Sequence, residues 1–382
     1  MKAILKGLYL KIRGSTLEAL RLLFIKKKSL LSLLNIQSIL FIRVDRVGDM
    51  MLSTPAFRAI KAALPGVRLT VMATPANTDI LMNNPDVDDV VVYDRLAGLH
   101  VKMKLMMKLR SRQFSLAIDP HNDYELKTAF LAALSGAANR IGYAAFGREI
   151  FFNQPASLIK ENTHFVDVAL GLLKDIGISA TNRSPEIYIS DDEQVWARKW
   201  LADNGLQGNT VVGIHPGAHY QTQRWLPEYY AELIQLLRCQ PQTGVILFGG
   251  PSDAKVIEEI ISKVKTDICV SMQNNLRYLS ALLAQCHIFI CNNSGPLHIA
   301  SALNIPTISF MGPTVKEQWT PISANHRVLR RDDLPCIGCN LGYCKIKSHD
   351  CMRLIGPEAV FEIIQSEFAL TCGKQNVQRA RD

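Results

Sequence analysis

Residues 288–314, IFICNNSGPLHIASALNIPTISFMGPT, decide how the second half of the chain is read. An apolar run ends at Cys291, the polar turn Asn292-Asn293-Ser294-Gly295 follows, Pro296 stands where a helix would start, and a second apolar run, 307–310, follows Pro306. That order predicts strand, turn, helix, strand. Proline in a first helical turn lacks only an N–H that has no partner there anyway, and Ser294 and Gly295 leave backbone donors pointing outward. A helix amino terminus carries roughly half a positive charge, so such a turn suits a phosphate or diphosphate. The expectation is a nucleotide-linked ligand; the plainer alternative is an ordinary strand-to-helix turn of an α/β domain.

Working outward, the same alternation fills the chain. Upstream in the second half, strands are expected at 210–215, 245–248 and 267–270, with helices at 192–204, 227–239, 252–264 and 276–285. In the first half the strands fall at 39–44, 68–72, 89–93 and 114–118, and the helices begin near Ser53 or Thr54, around 77–82, at 100–112, at 124–134 and at 165–175. Residues 45–49 form a loop bending at Gly48, and 138–147 and 151–155 read as loops. Repeated strand–helix alternation implies parallel, doubly wound sheets. Residues 177–190 have little periodicity and contain Pro185, which places a domain junction near 180–192.

A chain of 382 residues, 48% of them hydrophobic, suffices for two ordinary domains. Nine cysteines, an odd number and scattered, speak against a secreted disulfide framework and for a reducing cytoplasm. The formal charge of +9 is concentrated at the start, where Lys2, Lys6, Lys11, Arg13, Arg21, Lys26, Lys27 and Lys28 face Glu18 alone. The remainder is nearly balanced, which argues against a nucleic-acid groove spread over the fold. Residues 1–37 form a basic amphipathic extension whose apolar runs fall far short of the roughly 20 residues a membrane-spanning helix needs, with no cleavage site behind them. Such a segment can lie on an anionic membrane surface, or pack as a helix on the first domain.

Several residues could carry chemistry. Asp49, beside Gly48 after the first strand, could take a proton from an acceptor hydroxyl or serve as a helix cap. In HPGAHYQTQRW, residues 215–225, Gln221 and Thr222 can donate hydrogen bonds and Arg224 offers a planar cation to diphosphate oxygens. His298, one turn into the helix after Ser294, could reach the same anion or be a packed core residue. Cys336, Cys339, Cys344 and Cys351, spaced x2, x4 and x6, have the ligand number for a structural zinc or iron, or are four reduced thiols in a compact loop. No GxGxxG turn occurs, which argues against an ordinary NAD site.

Together, IRVDRVGDMMLSTPAFRAIKAALPG, HPGAHYQTQRW, FGGPSDA and NNSGPLHIASALNIPTISFMGPT, in this order, resemble the ADP-heptose:lipopolysaccharide heptosyltransferases of glycosyltransferase family 9 over residues 38–365. The resemblance implies an α/β GT-B fold, two facing Rossmann-like, doubly wound parallel-sheet domains with an interdomain cleft. The domains would be 38–185 for the acceptor and 186–365 for the nucleotide sugar, the latter with a Cys-rich loop 336–351, followed by a tail, 366–382. The implied activity is inverting, metal-independent transfer of a heptose from ADP-heptose to a lipid-anchored core oligosaccharide. It would take place in the cytoplasm at the inner face of the inner membrane. Asp49 matches the family's GD aspartate, the general base. The donor set is Gln221, Thr222, Arg224, Gly249, Gly250, Asn293, Ser294, Gly295, Leu297 and His298, and the acceptor set is Asp119, His121, Asn122 and Arg140. Arg224 stands where Lys is common, and Asn293 where many members have Asp, which bears on the transferred sugar. No cofactor is implied for catalysis. The competing readings are a glycosyltransferase for another nucleotide sugar or a protein acceptor, a non-catalytic nucleotide-sugar-binding protein, and a redox role for the cysteines.

Overall fold

A computed structural model describes residues 9, 13–17 and 32–367, so most of the expected extension and nearly all of the tail lie outside the described residues. The chain divides into two compact units, Met1–Pro185 and Glu186–Asp382.

In the first unit the strands are β1 (Ser38–Ile42), β2 (Arg68–Ala73), β3 (Asp89–Val92), β4 (Leu116–Asp119), β5 (Asn139–Tyr143) and β6 (Gln154–Ala156). The helices are α1 (Val47–Met51), α2 (Thr54–Ala63), α3 (Leu99–Ser111), α4 (Lys127–Leu134) and α5 (Phe165–Lys174). The sheet runs β3-β2-β1-β4-β5-β6, all parallel, with Phe41 in register with Val71 on one side and Ile118 on the other. Ile39, Leu40, Phe41 and Ile42 are fully buried, because helices cover both faces of a central parallel strand.

Three expectations change here. Residues 138–147 and 151–155 contain strands β5 and β6 rather than loops only. Gly142 weakens the strand signature, yet it is what admits Phe152: a Cβ on Gly142 would stand 2.2 Å from that ring. Pro155 is tolerated because β6 is an edge strand. Asp49 sits in the single turn of α1 rather than in an open loop.

The second unit repeats the plan. Its strands are β7 (Thr210–His215), β8 (Thr243–Gly249), β9 (Cys269–Met272), β10 (Ile288–Asn292), β11 (Thr307–Phe310) and β12 (His326–Leu329). Its helices are α6 (Asp191–Asp203), α7 (Pro227–Arg238), α8 (Ala254–Lys263), α9 (Leu276–Leu283), α10 (Gly295–Ala302), α11 (Lys316–Trp319), α12 (Asp350–Arg353) and α13 (Pro357–Glu367). The order β12-β11-β10-β7-β8-β9 is the first unit's order repeated, with β7 in the place of β1 and β10 in that of β4. Trp225 anchors the core, stacked on Phe310 at 4.4 Å with its indole N–H donated to the Ile355 carbonyl at 2.8 Å. The α/β GT-B expectation holds in both sheets.

Candidate functional site

In open α/β sheets, ligands bind beyond the carboxyl ends of the strands where the strand order reverses. In the first unit that point lies between β1 and β4; Asp45 and Asp49 follow β1, Asp119 ends β4 and His121 follows it. The Asp49 carbonyl is held twice, by Arg43 Nε at 3.1 Å and by Ser53 Oγ at 2.8 Å, which fixes where the side chain leaves α1. Asp49 is buried, and burial, aided by the nearby Asp45 charge and opposed by Arg43, His121 and Arg46, raises its pKa to about 6. A carboxylate so placed is ionised at neutral pH yet more basic than usual, as a proton acceptor requires.

Behind it lies a clamp. His121 Nδ1 is 2.6 Å from Asp119 Oδ1 and Nε2 is 3.1 Å from Asp45 Oδ2. Burial pushes the imidazole toward neutrality, but the two carboxylates outweigh it and raise its pKa to about 9, so His121 is a cation with a proton on each nitrogen. Arg148, fully buried, meets Asp119 Oδ2 at 2.6 Å. Burial acts to raise the Asp119 pKa, yet Arg148 and His121 hold it at about 2. Asp45 is likewise held below the ordinary carboxylate range, burial being outweighed by Arg43 and His121.

In the second unit the reversal lies between β7 and β10. Asn292, the last residue of β10, ties the two strand ends together: its Nδ2 donates to Pro216 O at 2.8 Å and its Oδ1 accepts from Trp225 N at 2.9 Å. Ser294 is the N-cap residue of α10 in extended conformation, with Oγ 3.5 Å from His215 Nδ1. The other side of that imidazole faces Asp253, which also accepts from Gly250 N at 3.1 Å and has Arg224 NH2 at 4.0 Å. Arg224 is further fixed by donating Nε and NH2 to Ala218 O at 3.2 and 3.0 Å. The result is a helix amino terminus, an imidazole and a guanidinium around one turn, a setting suited to an anion.

The loop that bears the cysteines straps onto this setting. Thr222 Oγ1 donates to Leu341 O at 2.6 Å, and His349 Nε2 donates to Thr222 O at 2.8 Å. Cys336, Cys339, Cys344 and Cys351 share one cavity of about 50 Å³ with Thr222, Leu341 and His349. Burial, then the three neighbouring thiols, pushes the Cys351 thiol up to about 11. Among the described residues no three His, Cys, Asp or Glu side chains are placed to hold a metal ion, so the expected ligand geometry is not formed.

Known proteins match this chain along most of its length. Residues 102–348 match glycosyltransferase family 9 (heptosyltransferase). The chain belongs to that family. Lipooligosaccharide heptosyltransferase 2 of Haemophilus influenzae is 29% identical over 341 residues, covering 85% of this chain and 97% of that protein. Lipopolysaccharide heptosyltransferase 2 of Escherichia coli is 27% identical over 309 residues, covering 76% and 87%. The solved Escherichia coli ADP-heptose LPS heptosyltransferase II superposes with a TM-score of 0.73 at 25% identity, covering 87% of this chain and 98% of that one. A family 9 glycosyl transferase from Veillonella parvula gives 0.77 at 21% identity, covering 88% and 98%.

In this glycosyltransferase the sequence-read residues have different fates. Asp49 and His121 share one strand-order reversal, and Ser294, Gly295 and Arg224 share the other. Asp119 is fully buried and engaged by His121 and Arg148, so it positions its neighbours instead of facing a ligand. Arg140 lies beside Ala117, two rungs before Asp119, and its guanidinium serves the carbonyls of Phe151 and Ala137 at 2.9 Å each. Asn122 is half-buried and Gln221 exposed. Leu297 and His298 are buried, Leu297 completely. Gly249 is fixed by packing, since a Cβ there would stand 2.2 Å from Ile257 Cδ1. Sequence reading assigned no role to Arg43, Arg148, His215 or Asp253. An Arg two residues before an Asp after a strand hinted at the first; the others meet their partners only through the fold.

Proposed function

We propose that this glycosyltransferase moves a heptose from ADP-heptose to the core oligosaccharide of a lipid-anchored lipopolysaccharide acceptor, inverting the anomeric centre and using no metal for the chemistry. The observation that carries the reading is the buried Asp49 carboxylate, with its raised basicity, at the strand-order reversal of one unit, complemented by an anion-suited turn at the same place in the other. Relatives named heptosyltransferase 2 supply the sugar. Unit 1 takes the acceptor and unit 2 the ADP-sugar. The acceptor oxygen bonds to the anomeric carbon from the face opposite the diphosphate while its proton passes to Asp49, and the carbon–oxygen bond to ADP breaks. Arg224 and the amino terminus of α10 stabilise the charge growing on ADP. Thr222, its hydroxyl engaged by Leu341, contributes by holding the loop 336–351 in place.

The enzyme works in the cytoplasm on the inner leaflet, with residues 1–37 touching anionic lipid. Described residues 13–17 also fasten to unit 1, Arg13 NH2 donating to Tyr124 O at 2.6 Å and to Phe146 O at 3.0 Å.

The decisive experiment supplies ADP-heptose with acceptors truncated at successive core positions and identifies the product by mass spectrometry. Heptose transfer is expected with wild type and absent with Asp49→Ala, whose ADP affinity stays near wild type; transfer by that variant at the original rate refutes the base. One observation favours a second reading. Asn293, whose amide donates to Thr314 Oγ1 at 3.3 Å, is neutral where many members carry Asp, so a different ADP-sugar is the alternative. A donor panel in the same assay decides between them.

A further inference from the structure

Helix α3 does not resemble the surface helix of a soluble protein. Only Met106 and Leu109 of its thirteen residues are buried. Leu99, Met103 and Met107, spaced by four, form an outward apolar stripe exposed to 74%, 55% and 61%; Val101 in the same helix and Leu96 in the lead-in loop add 57% and 94%. From Arg95 to Gln113 the sequence holds six Lys and Arg and no Asp or Glu. Lys104 and Lys108 flank the stripe, and with Lys102 they rim a cavity of about 240 Å³ whose walls include Val92, Tyr93 and Val101.

We propose that α3 and its lead-in loop are the face by which unit 1 docks on an anionic phospholipid bilayer, the Leu and Met stripe entering the headgroup–acyl boundary and the lysines meeting lipid phosphates. Charge and apolarity together choose the occupant. Symmetric pairing with a second copy would oppose lysine to lysine. An exposed Leu/Met stripe is wasted on a nucleic-acid backbone, whereas a basic helix with outward apolar residues is the form that lies in a membrane interface. The face is also coupled to the candidate base. Arg95 NH2 donates to the Val44 carbonyl, which fastens the lead-in loop to the segment bearing Asp45 and Asp49. The proposal goes beyond the transfer reading and stands whichever sugar is moved.

The test is flotation of the full chain with vesicles of phosphatidylcholine plus phosphatidylglycerol against phosphatidylcholine alone. Wild type is expected to float with the anionic vesicles only. Lys104→Gln with Lys108→Gln, and separately Met103→Ser with Met107→Ser, should each lower the bound fraction about tenfold at unchanged unfolding midpoint. Lys26→Gln with Lys27→Gln and Lys28→Gln, made in the full chain, reports the extension's own contribution. Three outcomes overturn the proposal: no binding by wild type, wild-type binding by both α3 variants, or a change in the lipid-free sedimentation coefficient with the methionine variant, which would show a second copy covering the face. Loss of anionic binding in the α3 variants at constant sedimentation supports it, and because no sugar donor is involved its failure leaves the transfer reading untouched.

Discussion

Asp49 takes its basicity from neighbours of opposite effect, and this yields a pair of predictions with opposite signs. Asp45 lends it negative charge, His121 positive charge. Transfer activity should therefore rise with pH through about 6 as Asp49 ionises. In Asp45→Asn the rising limb moves to lower pH, because a charge that disfavours ionisation is gone; in His121→Asn it moves to higher pH. Rate–pH profiles of the two variants check this, and a common direction of shift would mean that packing, not charge, sets the pKa. His121 also carries stability. Its folded pKa of about 9 exceeds the ordinary 6.5, so its contribution is complete below pH 6.5 and is lost as pH rises through 9. The full difference is on the order of 3 kcal/mol. Urea midpoints across that range should fall for wild type and stay flatter for His121→Asn. Asp49 was readable as a candidate base, and Asp119 and His121 only as acceptor contacts; the clamp itself was not legible, because Asp45, Asp119, His121 and Arg148 are scattered over more than a hundred positions and only the winding of β1 beside β4 brings them together.

Among elements, the strand–turn–helix–strand of residues 288–314 was legible because its signals are local: an apolar run, a capping turn, Pro296 and a second apolar run bounded by Pro306. Its second strand falls on Thr307–Phe310 as expected. The strands that escaped, β5, β6 and β12, are short and lie at or next to a sheet edge, where Gly142, Pro155 and polar residues are tolerated because one neighbour is missing or small. The close approach of elements in the donor turn makes its own prediction. A Cβ on Gly217 would stand 2.4 Å from Asp253 Oδ1 and 2.7 Å from His215 Cε1. Gly217→Ala should displace the pair that braces Ser294 and Arg224, raising the donor KM severalfold with a smaller effect on stability. Gly249→Ala, driven into Ile257 in the core beneath α8, should do the reverse and cost about 1–3 kcal/mol in urea unfolding. Steady-state kinetics beside denaturation separates the two, and equal loss of stability in both would remove the special role of Gly217.

At the scale of the whole molecule, one topology is used twice, and each copy carries a different group of side chains at its strand-order reversal: the titrating cluster lies at the ends of β1 and β4, the anion-suited turn at those of β7 and β10. The order of the sequence motifs made that division readable, while the bracing around each site was not. Because the halves belong to separate units, they should answer separate probes. Trp196, Trp200, Trp225 and Trp319 all lie in the second unit, so tryptophan fluorescence reports on that unit alone, while far-ultraviolet circular dichroism reports on both. Saturating ADP at a hundredfold excess over its Kd should stabilise the second unit by about 2.7 kcal/mol and move the fluorescence transition upward. Raising the pH from 6.5 to 9 should instead lower the component of the dichroism transition that fluorescence does not see, through His121. If ADP left the fluorescence transition in place while shifting the other, the nucleotide would belong to the first unit and the assignment of donor and acceptor halves would be reversed.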